Sequence, residues 1–435
     1  MRLRHTAAPR PAHPLRTLAV ATTLACALPL TACGSGSGSS DGKVKLSFSW
    51  WGDASRAKAT EAAVAAFEKV HPNIEVGTQY ATFAAYNQKL ATQIAGGGAS
   101  DVIQIDWGNQ SQYAQSHTLL DLSSGPGKVD VSGLDPKFAA SGKEGSDQVA
   151  VPFGQTAQSI VVDETRLDAL GVPVPKAGWT WEDLQTFAQQ VHARSGGKTA
   201  GITDPGSTWP AFQSWLLQRG KPLYTADGAF GFTKDDLAGF WTFCTQLRKS
   251  GAATAANLTE TVVSGPAEDP LAKGAAAAEW DYDSIYTSHV AANKDKLVLV
   301  PLPTVNGRTG MYAKPSMLLS VYARSKHPKE AAELVSFLVT DSRAATALGS
   351  SRGLFPDLVV RQQQGASATG ADKVVADYEA AADSLLSATP SAPPKGDAQL
   401  ITLMQRVYDE VSFGRQSPQD ASASFMQQAG QILEQ

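Results

Sequence analysis

Val44, Leu46, Phe48 and Trp50 alternate with Lys43, Lys45, Ser47 and Ser49, a period of two that predicts a strand with one apolar face. The spacing then becomes helical. Ala63, Ala66, Phe67 and Val70 recur at three and four residues until His71-Pro72-Asn73 ends the run, and residues 74–76 open a second strand. Phe83, Tyr86, Leu90 and Ile94 mark another helix, closed by Gly96-Gly97-Gly98, and residues 101–107 read as a third strand. Strands alternating with helices predict an α/β fold with a mainly parallel sheet. Farther along, 149–153, 159–162, 296–301 and 318–322 have strand character. Thr180-Trp181-Glu182-Asp183 caps a helix carrying Leu184, Phe187, Ala188 and Val191; Pro328 opens one carrying Ala331, Leu334, Val335 and Leu338; Ser417-Pro418-Gln419-Asp420 caps a last one with Phe425, Ala429 and Ile432. Residues 364–371 and 389–395 read as loops, and the chain carries no internal repeat.

Ahead of the first strand stand Arg2, Arg4, Arg10 and Arg16 with no acidic residue, then an uncharged run over 17–32 rich in Leu, Ala and Val. A membrane-spanning helix needs about 20 apolar residues. This run is shorter and holds Pro29, so it reads as an export signal. Leu30-Thr31-Ala32-Cys33 resembles the bacterial lipobox, which implies removal of 1–32 and a diacylglycerol on the Cys33 thiol; ordinary cleavage beside an unmodified cysteine is the alternative. Residues 34–40 are all glycine and serine, so 33–40 reads as a lipidated cysteine and flexible tether. The expected location is the outer face of the cytoplasmic membrane, with the lipid as the only membrane contact.

Composition narrows the class. The net charge of −4 becomes −8 once the four arginines of the signal are gone, which argues against a nucleic-acid partner. About 400 remaining residues exceed the size at which a single core stops growing, so two lobes are expected. Cys26 lies in the signal and Cys33 at its end, leaving Cys244 alone in the body, so neither a disulfide nor a cysteine metal cluster can form there. His71, His117, His192, His289 and His327 are scattered, and phosphate-loop, paired-histidine zinc and calcium-loop motifs are missing, so no metal and no cofactor are expected. Gly349-Ser350-Ser351-Arg352-Gly353 has the spacing of a hydrolase nucleophile elbow, but that motif needs a strand before the serine, and here a helical pattern precedes it. A binding protein without catalysis is the expectation; Asp106 and Asp281 could be nominated as the carboxylate pair of a secreted glycoside hydrolase.

The tryptophans are the most informative residues. Trp50, Trp51, Trp107 and Trp280 fall at or just past a strand end or turn, and Asp53, Asn109 and Asp281 follow within a few residues. Open α/β sheets bind ligands beyond the carboxyl ends of their strands. A pyranose offers an apolar face to indole and hydroxyls to carboxylates and amides, so this pairing points to a sugar, although core packing explains any one tryptophan equally well. Trp179, Trp181, Trp215 and Trp241 sit in helical patterns and read as core, while Trp209, before Pro210, falls between the two readings. Asp106 and Gln158 fit either ligand contact or local capping, and Arg352 fits a ligand or helix-end carbonyls.

From residue 44 onward the chain resembles the extracellular solute-binding family of carbohydrate ATP-binding-cassette (ABC) importers, to which maltose-binding protein belongs. The resemblance is carried by Trp51-Gly52, by Phe67-Glu68-Lys69 through Val76, by Ala99-Ser100-Asp101-Val102-Ile103, by Val151-Pro152-Phe153-Gly154, by Lys273-Gly274-Ala275-Ala276 before Trp280, by Pro301-Leu302-Pro303, by Ser325 through Ala332, and by Gly353-Leu354-Phe355-Pro356. It implies a two-lobed, type II periplasmic-binding-protein-like fold with discontinuous lobes, 41–153 plus 281–325 and 154–280 plus 326–435, joined by a hinge. It further implies a monomer holding a mono- or oligosaccharide in the cleft and delivering it to the importer's membrane permease subunits. Carried onto this sequence, it places Trp51, Asp53, Asp106, Gln158, Trp209, Trp280, Asp281 and Arg352 near the ligand. A glycerol-phosphate or cationic solute is the alternative ligand.

Overall fold

The computed structural model describes residues 42–434 apart from 226, 260–264, 388 and 391; the expected export signal, Cys33 and expected tether lie outside the described residues. Eleven strands are described: β1 (Val44–Trp51), β2 (Ile74–Ala81), β3 (Val102–Ile105), β4 (Lys143–Glu144), β5 (Asp147–Gln148), β6 (Val151–Pro152), β7 (Gln155–Asp163), β8 (Ala278–Tyr282), β9 (Leu297–Val300), β10 (Ala313–Pro315) and β11 (Leu318–Val321). Among the described residues no helix is long and apolar enough to cross a membrane.

The first sheet has the order β2-β1-β3-β11-β6. Its β2, β1 and β3 are parallel, because helices Ala54–Val70 and Phe83–Ala95 return the chain to the same end each time. The second helix starts at Phe83, where its pattern begins, while the first starts at Ala54, nine residues before the periodicity at Ala63. Asp53 caps the first, its carboxylate accepting from the Arg56 N–H at 2.8 Å. The sheet is mixed rather than mainly parallel, since β11 runs antiparallel to β3 and β6. In the second sheet β10, β8 and β9 are all antiparallel to β7. Those partners are later returns of the chain rather than products of βαβ crossovers, so local alternation could not reveal their direction.

Each sheet has its own core. Leu46, Phe48, Phe67, Ile103 and Ile105 join Leu318, Leu334, Leu338 and Leu348 in the first. Ile160, Val162, Leu184, Phe212, Trp241, Val300, Leu302 and Phe425 make the second, while Val161, on the opposite face of β7, packs with Leu271, Tyr286, Leu297 and Val375. The expected lobe division is therefore redrawn after residue 280. Val300, Leu302 and Met311 belong with the second core, because β8, β9 and β10 pair with β7; helices Pro328–Thr340 and Ser342–Leu348 belong with the first, because they cover the sheet that β11 completes. A second correction concerns 364–371, expected as loop. Helices Leu358–Ser367 and Gly370–Ala382 occupy most of it, the former capped by Asp357, since the glutamine-rich and alanine-rich run favours helix once its first turn is capped.

The chain passes between the cores at 153–155 and 315–317, and these crossings are tied to the 350–354 turn. Ser316 donates through N and Oγ to the Gly154 carbonyl at 2.8 and 3.1 Å, and Gln155 and Leu354 exchange backbone hydrogen bonds of 2.9 Å. A β-carbon on Gly154 would lie 2.1 Å from the Arg352 carbonyl, so only glycine fits that closeness.

Candidate functional site

At the carboxyl rim of the first sheet, each parallel strand runs directly into a capping residue. Trp51 ends β1, is 6% exposed, and packs edge-on against Phe83 at 5.3 Å and tilted against Tyr86 at 5.7 Å. Asp53 follows. Burial works to raise its carboxyl, but the Arg56 N–H, Ser288, Ser55 and the Arg56 charge outweigh it and hold it below the usual range. Past β3, Asp106 accepts from the Gly108 N–H at 2.9 Å and turns the chain into Trp107–Asn109. The Trp107 indole N–H is buried without a partner among the described residues.

The second sheet supplies the facing wall. Register sets Tyr282 opposite Gln158 and Lys314 opposite Thr156, and strand alternation puts Trp280 on that same face. Gln158 is fully buried; its amide donates to the Pro210 carbonyl at 3.3 Å, while its Oε1 has no partner among the described residues. Trp280 stacks on Trp181 at 5.8 Å, and its indole N–H is likewise unpartnered. The cavity beside it, lined by Thr203, Asp204, Ser207 and Glu279, is about 20 Å³, room for one water.

Between the two walls lies a charged cluster. The Lys314 ammonium sits 4.6 Å from the centre of the Tyr282 ring and donates to the Pro315 carbonyl at 3.5 Å. Burial lowers the affinity of Lys314 for its proton, against the opposing charges of Asp106 and Asp397. Asp397 opens helix Asp397–Ser412, is 4% exposed, and accepts from the Tyr224 hydroxyl at 2.5 Å and the Trp209 indole at 3.2 Å. Burial, aided by repulsion from Asp106 and opposed by the Tyr224 and Trp209 bonds and the Lys314 charge, pushes the Asp397 carboxyl up to about 6. A β-carbon on Gly108 would stand 2.6 Å from Asp397 Oδ2, so the two walls touch here. Tyr312, hydrogen-bonded to Gln213, borders the same cluster.

A second polar group lies on the opposite face of β8. His289 sits between Asp281, 2.9 Å from Nε2, and Asp269, 3.4 Å from Nδ1, with Glu279 held by the Thr203 hydroxyl at 2.8 Å. Burial would lower the His289 imidazole, but the Asp281 bond and the charges of Asp281, Asp269 and Glu279 raise it to about 9. Burial and repulsion from Asp269 carry Glu279 up to about 8.

The cluster brings Asp106 and Trp209 to one crevice, with Gln158 opposite Tyr282 and bonded to Pro210 beside it, while Trp280 lies two residues before Tyr282 on the same face and rests on Trp181. Trp51 rests against Phe83 and Tyr86, Asp53 is held by Arg56, Ser55 and Ser288, and Asp281 points away from the crevice to His289. Arg352 turns inward: 2% exposed, it donates to the Thr60 hydroxyl at 2.8 Å and stacks over Phe153 at 4.6 Å. Sequence reasoning did not single out Lys314, Tyr282, Tyr312 or Asp397. Gly396-Asp397, entering an amphipathic run after a proline-rich loop, was the one local signal available.

Comparison with known proteins places this geometry. Residues 53–345 match the model of the bacterial extracellular solute-binding protein family, and the chain belongs to that family. An extracellular solute-binding protein of family 1 from Alicyclobacillus acidocaldarius is 30% identical, the match covering 90% of this chain and 99% of that one with a TM-score of 0.64. A periplasmic oligogalacturonide-binding protein from Yersinia enterocolitica, solved with saturated digalacturonic acid, is 25% identical over 90% of this chain and 99% of its own, with a TM-score of 0.80. An uncharacterized lipoprotein from Streptomyces antibioticus is 30% identical over 208 residues, 45% of this chain; this chain spans only 41% of that relative's length. The fold is the two-lobed α/β architecture of periplasmic solute-binding proteins.

Proposed function

We propose that this protein captures a sugar between its lobes and delivers it to the permease of an ABC importer, without chemistry of its own, while held to the membrane by lipid on Cys33. The observation that carries the reading is the interlobe crevice, where Lys314 lies over Tyr282 between the charges of Asp106 and Asp397, and the Gln158 carbonyl, opposite Tyr282 in the sheet, is buried without a partner among the described residues. A buried polar atom left unpaired costs about 1–3 kcal/mol, and sugar hydroxyls next to aromatic faces supply the missing partners. Trp280, Gln158, Asp106, Lys314 and Asp397 would line the pocket. Trp51 and Asp53 would form its rim, and opening of the lobes would separate Gly108 from Asp397 to admit the ligand.

Sugar-binding relatives of the same fold support the choice of ligand, and a relative described as a lipoprotein supports the anchor. Tethering raises the effective concentration of a loaded receptor beside its membrane partner, which gives the glycine-serine segment a purpose. Calorimetric titration of the mature domain with mono- and oligosaccharides should give saturable heat and unchanged sugar. Hydrolysis of a bound sugar would replace this reading with the glycoside hydrolase. A Cys33→Ala variant should leave the membrane fraction yet bind as before.

A further inference from the structure

The rim of the crevice carries more aromatic surface than a single buried sugar would use. Tyr80 and Phe83 bracket the turn from β2 into helix Phe83–Ala95 and are 48% and 49% exposed. Each rests on a buried tryptophan: Tyr80 lies parallel to Trp50 at 6.2 Å, and Phe83 meets Trp51 edge-on at 5.3 Å. One helical turn beyond Phe83, the Asn87 amide donates to the Phe83 carbonyl at 2.9 Å, and its Oδ1 accepts from Asn109 at 3.5 Å. Asn109 closes the turn that Asp106 begins, so the exposed ring and the carboxamides are continuous with the crevice. A flat apolar face fixed from beneath by an indole, with amides at its edge, matches the two-sided chemistry of a sugar ring.

Resting on the capture reading above, we infer that Phe83, with Asn87 beside it and Tyr80 across the turn, forms an outer sugar subsite, and that the ligand is therefore an oligosaccharide running from the interlobe crevice out over this rim. The inner residue of the chain is held by the unpartnered polar atoms. The outer residue stacks on Phe83, and the carboxamide of Asn87 takes a hydroxyl.

The test is calorimetry on the mature protein with ladders of one to five residues: glucose with maltodextrins, glucose with cellodextrins, and galacturonate with its oligomers. Affinity should rise with length in the ladder that binds. Phe83→Ala should lower the affinity of the longer members roughly tenfold and leave the shortest binder unchanged. Phe83→Leu, which keeps an apolar side chain on Trp51 but no flat face, should show the same length-dependent loss, while Val359→Ala, a truncation of a 63% exposed residue on another helix, should change nothing. Affinity independent of length, or a Phe83→Ala effect equal at every length or nil throughout, would overturn the outer subsite while leaving sugar capture standing. Absence of saturable heat with every ladder would overturn both.

Discussion

Two polar layers line the contact between the lobes, and they close their hydrogen bonds to different degrees. At the crossing segments, Arg56 is 3% exposed, and its guanidinium donates to the Ser351 carbonyl at 2.9 Å and the Ser284 carbonyl at 3.0 Å. Arg352 stacks beside it on Phe153 and donates to Thr60. These cations are tied to backbone and hydroxyl acceptors on three separate segments. In the crevice, Lys314 has one long bond to a carbonyl and Gln158 keeps its Oε1 unpaired among the described residues, as do the indole N–H groups of Trp107, past β3, and Trp280, on the Tyr282 face of β8. The difference is one of degree: the Arg56 guanidinium is bonded to two carbonyls, Arg352 keeps its Nε unpartnered among the described residues, and the half-buried Lys314 has only its single long bond. A buried charge bonded to backbone holds a fold together, whereas buried groups left open are spent on something that arrives later.

If that contrast is right, the two layers should respond oppositely to truncation. Arg56→Ala strips the donors from two buried carbonyls and should cost about 3 kcal/mol of unfolding free energy, read by denaturant titration, the largest effect expected in either layer. A loss below about 1 kcal/mol would mean that the seam tolerates open carbonyls and that the contrast is false.

Asp397 tests the crevice through pH. Its folded carboxyl titrates at about 6 against an ordinary 3.8, so the folded state binds the proton more tightly than the unfolded chain. Its contribution is therefore fully present below about 3.8, fades as pH rises toward 6, and is lost above. Relative to Asp397→Asn, the wild type should lose on the order of 2 kcal/mol between pH 4 and pH 7, while the asparagine can still accept from Tyr224 and Trp209. Unfolding curves of both proteins at the two pH values decide it. Equal pH slopes would show that Asp397 is not held against its charge.

The same contrast explains what could be read from the sequence. Thr180 and Ser417, and the capping alternative for Asp106, were legible because a cap is a local event, fixed by residues two or three positions away; Asp53, read only as a ligand contact, also caps a helix. The first sheet was legible through β3 for the same reason. Tyr282, Lys314 and Asp397 come together from positions 32 and 83 residues apart in the chain, and no periodicity marks such a meeting. Arg352 was misplaced because a buried guanidinium and a ligand-binding one look alike until their acceptors are known. The lobe division after residue 280 failed likewise, since only pairing with β7 or β3 decides which core a late strand joins.

Within the crevice, Lys314→Met removes the ammonium but keeps the apolar stem over Tyr282. Stability should hold or rise, because a half-buried charge without an ion pair among the described residues is relieved, while affinity for the proposed sugar ligand should fall roughly tenfold. A drop in stability matching that of Arg56→Ala would place Lys314 in the structural layer instead.

The smallest effect is also the sharpest. Trp280 joins core and open donor in one residue: its ring stacks on Trp181 as part of the second core, and its N–H is without a partner among the described residues. Trp280→Phe retains an aromatic ring of smaller size and deletes the N–H. Because that N–H binds no protein atom among the described residues, its loss should carry no hydrogen-bond penalty in the free protein, leaving only a packing cost of about 1 kcal/mol. In the complex a hydrogen bond disappears, so affinity should fall about three- to fivefold, with the loss appearing as reduced binding enthalpy in calorimetry. Unchanged affinity with lowered stability would assign Trp280 to the core alone, and the pocket would then have to be drawn around Tyr282 and Trp107.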